Sequence, residues 1–170
     1  MEVTNRTAAD FFAYLLPNYI EGPARVEVEL IDSAPGVPYK AAVGWDAGAN
    51  CYRILIGRDS DTSRFFLTLW HEAGHILNGD SSTSQRIDWD AERAAMRGEM
   101  KPPAVELRKE AIRGIQGGSR ETPKEKSADS WGVRMWSKWY TILHSATDLE
   151  SAKDAARWVL RNIGKDYKPN

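Results

Sequence analysis

The sequence predicts an α+β fold, with a small antiparallel sheet packed against a helix carrying His71-Glu72-Ala73-Gly74-His75 and against several further helices. Three observations lead there. Three short runs between Arg25 and Gly57 pattern their apolar residues as strands do. The HEAGH stretch falls where apolar residues recur at helical spacing. The second half of the chain holds two more long, apolar-faced helical patterns. At 170 residues, one domain over 1–170 is the natural prior, long enough to bury a substantial core.

Thr7 to Leu16 reads as the first helix, with Thr7 as its cap, Asp10 at the capping-box distance and Pro17 closing it. Arg25 to Asp32 alternates Val26, Val28 and Leu30 against Glu27 and Glu29. Ala34 to Pro38 is a turn or loop. Tyr39 to Asp46 is a weaker strand, and Ala47 to Asn50 a hairpin connection. Cys51 to Gly57 is the third strand, with Tyr52, Ile54 and Ile56 on one face and Leu55 on the other. The HEAGH helix follows, capped within Ser60 to Ser63, and Gly79 marks its end.

Residues 81–121 read as a polar excursion. It holds a short helix from Asp88 to about Arg97, a break at Pro102-Pro103, a helix over Ala104 to Ile115, and a break at Gln116 to Ser119. Thr122-Pro123 opens a long helix with Ala128, Trp131, Met135, Trp139 and Ile142 on one face. The last helix runs from Asp148 to Ile163, with Thr147 and Glu150 as its capping box.

Composition narrows the function classes. The hydrophobic fraction is 42% and the charged fraction 28%, an ordinary globular balance. A formal charge of -1 gives no global electrostatic case for nucleic acid or an anionic membrane. Cys51 is the only cysteine, so no intramolecular disulfide forms. Met1 to Asp10 has no apolar signal core, and no run approaches a membrane span. The expectation is a soluble, cytoplasmic protein.

The chemistry concentrates in HEAGH. Two histidines four apart project from one helix face, where two imidazoles can grip one metal ion. Glu72 beside them can reach a metal-bound water as general base. This is the ligand-plus-base arrangement of zinc hydrolases. The plain alternative is a core helix with two incidental histidines.

A catalytic zinc site needs a third protein ligand and one open position. The third histidine of the extended motif is absent, because Asn78 and Ser81 stand at the pattern's glycine and histidine positions. That leaves a carboxylate. Glu125 and Asp129 lie four apart on one predicted helix face. Glu125 can ligate the metal, and Asp129 can accept the free ring N–H of a ligand histidine. The competing structural role is specific, since Thr122-x-x-Glu125 is itself a capping box. Glu92 is the second candidate ligand. His144, Tyr140, Arg134 and Tyr52 are candidate donors to a developing oxyanion.

HEAGH followed by Glu125-x-x-Ala128-Asp129 resembles the gluzincin class of zinc metallopeptidases, and within it the ImmA/IrrE-type domains of prokaryotes and phages. The likeness covers about Thr7 to Leu143 in order of elements, and its specific part is the two motifs. It implies a zincin-like fold, with zinc held by His71, His75 and Glu125, Glu72 as general base and Asp129 supporting a ligand histidine. It further implies hydrolysis of a peptide bond in a regulatory protein such as a repressor. The chain departs from the pattern in a longer interval between His75 and Glu125, and in Ser130-Trp131-Gly132 after Asp129. Two other readings stand beside it. One is a binding module that contacts a regulator or toxin partner through Ser81 to Arg120 without proteolysis. The other is a DNA-binding regulator, which the near-neutral charge disfavours.

Overall fold

The computed structural model describes residues 1–22, 24–37, 40–79, 87–99 and 123–166. In chain order the elements are α1 (Asn5–Leu15), a 3-10 turn (Leu16–Tyr19), β1 (Val26–Ile31), β2 (Ala41–Asp46), β3 (Cys51–Gly57), α2 (Thr62–Leu77), α3 (Trp89–Arg97), α4 (Pro123–Ser145) and α5 (Leu149–Asn162). The fold is α+β, as expected, with a three-stranded sheet and five α-helices among the described residues.

The sheet differs from the expected antiparallel one. Its order is β1-β3-β2, with β3 parallel to β1 and antiparallel to β2. The physical reason lies in β3. It is the most apolar of the three strands and buries both faces, so it takes the centre. Ile54 and Ile56 face the main core, while Leu55 faces a second cluster with Ile31, Ala42 and Met96. The connection from Asp32 to Lys40 is long enough to carry the chain past β3 to the far edge. Only β2 and β3 form a hairpin, closed where Asp46 Oδ1 accepts from Ala49 N at 3.2 Å.

The main core lies between the sheet and the helices. Phe65, Phe66, Leu69, Trp70, Ala73 and Ile76 make the buried stripe of α2. Phe12 meets Trp70 edge-on at 4.9 Å, and Trp131 of α4 meets it at 5.6 Å. Trp139 Nε1 donates to Tyr19 Oη at 3.0 Å. The tryptophan-rich face of α4 is thus largely core. On the other side of the sheet α3 is clamped by Arg93, whose guanidinium takes both oxygens of Glu29 at 2.6 and 3.0 Å.

Several helix ends shift from the sequence reading. The first helix begins at Asn5, because Thr4 rather than Thr7 supplies the capping oxygen, to Thr7 N at 3.1 Å. Asp148 rather than Thr147 caps α5, accepting from Ser151 N at 2.7 Å. A carboxylate at the cap outcompetes the neighbouring hydroxyl. Asp61 caps α2 and Asp88 caps α3. The expected helix over Ala104 to Ile115, both breaks around it and the Thr122 cap lie outside the described residues. No described helix is long and apolar enough to cross a membrane.

Candidate metal centre

His71 and His75 sit one turn apart on α2, beside its buried stripe rather than in it. Their Nε2 atoms are 3.2 Å apart. Glu125, in the first turn of α4, places Oε2 3.3 Å from His71 Nε2 and Oε1 3.3 Å from His75 Nε2. Four-coordinate zinc with bonds of about 2.0–2.1 Å has ligand–ligand edges of roughly 3.3 Å. The contacts are of that size, with each carboxylate oxygen meeting one imidazole. Among the described residues, His71, His75 and Glu125 form the one group able to hold a metal ion. Their side chains are 22%, 15% and 19% exposed, so solvent reaches the position opposite them.

The ring of His71 is steered from behind. Its Nδ1 lies 2.7 Å from Asp129 Oδ1. The approach has ion-pair distance but not hydrogen-bond direction, so the carboxylate orients the ring electrostatically rather than through a well-aligned bond. Glu72, next to His71 on α2, is half-buried. Burial pushes its carboxyl above the usual carboxylate range; the two imidazoles pull it down and Glu125 pushes it up.

Helix packing explains why these side chains meet. Among the described elements, α2 and α4 make the most extensive contact. They run antiparallel, and small residues set their spacing. A Cβ on Gly74 would lie 2.9 Å from Ala128 Cα. A Cβ on Gly132 would lie 2.9 Å from the His71 backbone nitrogen. The glycine inside HEAGH and the alanine of Glu-x-x-Ala-Asp therefore face each other at the crossing. That close approach brings Glu125 and Asp129 beside the histidines. The sequence reading missed Gly132, and its signal was a glycine in an otherwise unbroken helical pattern.

The other predicted residues stay apart. Glu92 lies on α3, across the sheet from α2, outside the metal group. Tyr140 and His144 are about three and four turns along α4 from Asp129. There Tyr140 stacks on Trp136 at 5.9 Å and lies 5.9 Å from Phe66. Tyr52 packs on Trp45 at 5.0 Å, and Arg134 is exposed on α4. His144 is not part of the metal group. No family model, characterised protein or solved structure matches the chain.

Proposed function

We propose that the chain is a zinc-dependent metallopeptidase that hydrolyses a peptide bond, with a regulatory protein such as a repressor as its target. One observation carries the reaction: His71, His75 and Glu125 converge as a group able to hold a metal ion, with Glu72 next to His71 in the chain. The regulatory target rests on the resemblance of the two motifs alone.

His71 Nε2, His75 Nε2 and a Glu125 oxygen would hold the ion. Zinc bound there supplies a Lewis acid for the scissile carbonyl and lowers the pKa of water toward roughly 7. Glu72 takes the proton of the attacking water and returns it to the leaving amine. Burial raises its proton affinity, which favours taking that proton. Asp129 keeps Nε2 of His71 turned toward the ion.

The sheet offers a way to hold an extended substrate. Gly57 N donates to Lys40 O at 2.8 Å, so by alternation Ala42, Gly44 and Asp46 bond toward β3. The backbone groups of Ala41, Val43 and Trp45 point to the outer edge, where no described strand pairs. An extended peptide can add there, alongside α2. The test is cleavage of a fluorescence-quenched peptide library by zinc-loaded protein. Glu72→Gln should keep its zinc and lose cleavage by about 10²–10⁴-fold. Full cleavage by that variant would refute the mechanism.

A further inference from the structure

Where the link from β3 turns back into α2, the protein has a cavity of about 380 Å³. Lys40, Arg58 and Arg64 line it, with Asp59, Thr68 and Phe65. Three cations thus face one carboxylate. That carboxylate is already committed: Arg64 grips it at 2.6 and 2.8 Å. Its backbone is committed too, exchanging bonds of 2.8 and 2.9 Å with the Asn5 side chain. Arg58 pairs at 3.0 Å only with Asp32, whose side chain is 90% exposed, a pairing of little strength. The charge of Lys40 acts on Asp59, but no ion pair within 4.0 Å holds its ammonium among the described residues. The cavity therefore carries excess positive charge around a rigid wall.

Its position relates it to the metal group. β3 runs antiparallel to β2, and α2 folds back on β3, so α2 and β2 advance together. Lys40, just before β2, and Thr68, on α2, both line the cavity. Thr68 is one turn before Glu72, about 6 Å along the helix. A strand on the β2 edge advances about 3.3 Å per residue. A peptide whose scissile bond lies at Glu72 thus delivers a side chain about two positions away into the cavity.

We infer that this cavity is the subsite that takes an acidic side chain of the peptide substrate. The inference rests on the peptidase reading for its place in catalysis, but binding tests it separately. The carboxylate would replace the exposed Asp32 as partner of Arg58 and give Lys40 its counter-ion. Arg64 stays with Asp59 and shapes the wall.

The probes are two acetylated, amidated pentapeptides, Ala-Ala-Glu-Ala-Ala and its Gln counterpart, titrated at low salt into the full chain by NMR. The Glu form should bind about tenfold tighter, and Lys40→Ala with Arg58→Ala should remove most of that difference. Thermal unfolding checks that the double variant folds, and single substitutions replace it if it does not. Equal binding of both peptides overturns the inference, as does a preference that survives the substitutions. Equal binding of free N-acetylglutamate also overturns it, because the site would then be one for small anions. Cleavage of zinc-loaded protein's library substrates without acidic preference leaves the peptidase reading and removes the subsite. Acidic preference without any cleavage does the reverse.

Discussion

If the metal group holds zinc, Asp129 would act on the ion only through His71. Half exposed, it turns one imidazole by charge from 2.7 Å. Removing such a partner typically lowers metal affinity about 10–100-fold. Asp129→Asn should therefore weaken zinc in a competitive chelator titration, while Glu125→Ala should abolish stoichiometric binding. Equal affinities for Asp129→Asn and wild type would leave Asp129 a surface acid. At this scale the sequence was informative. Spacing within HEAGH puts the two histidines on one face; the need for a third ligand leaves Glu125 and Glu92 as candidates, and Glu125 is the one that meets the histidines. The candidates for oxyanion donor were not legible, because their distance from the ion depends on where α4 runs. Tyr140 and His144 share the helix of Glu125, but α4 carries them turns away from it.

At the scale of elements, the crossing of α2 and α4 makes the site. Gly132 gives His71 room, and Gly74 gives it to Ala128. Gly132→Ala should push the helices apart and cost about 1–3 kcal/mol in urea unfolding, with a parallel loss of zinc affinity. Ser130→Ala, on the exposed face of α4, should change neither. Loss of stability with unchanged zinc affinity would separate packing from ligand placement. The edge of β2 makes an independent prediction. Val43→Pro removes an outward N–H at a position an edge strand tolerates. It should weaken peptide binding and spare zinc content. The order and direction of the strands escaped the sequence. Alternation reports which face is buried, not which neighbour a strand pairs with. The central place of β3 follows only from burial on both sides.

Across the whole molecule, charge organises the side of the sheet away from the metal. Arg53 reaches Asp46 at 2.8 Å and Glu27 at 3.2 Å, while Arg93 ties α3 to Glu29. The hydrogen bond from Arg53 holds the Asp46 carboxyl below the usual carboxylate range. A folded-state pKa below the unfolded one gives stability that is present above the unfolded value. It is lost as pH falls through the folded value. Urea unfolding should therefore show the Asp46 contribution at pH 6 and lose it in acid below about pH 4. Arg53→Met should flatten that part of the profile, and an unchanged profile would remove the pair from the account. The α+β class and the helix inventory of the described residues were legible from periodicity and caps. The polar stretch between the two motifs gave the sequence reading little periodicity to work with.

Two histidines of one helix and a glutamate of another are the proposed zinc ligands of this chain. Metal content by elemental analysis tests that assignment most directly, on wild type, Glu125→Ala and Glu92→Ala prepared in parallel and refilled with zinc. The account predicts near-stoichiometric zinc in wild type and Glu92→Ala, and its loss in Glu125→Ala. Wild-type protein without zinc, or Glu125→Ala with a full complement, would contradict it.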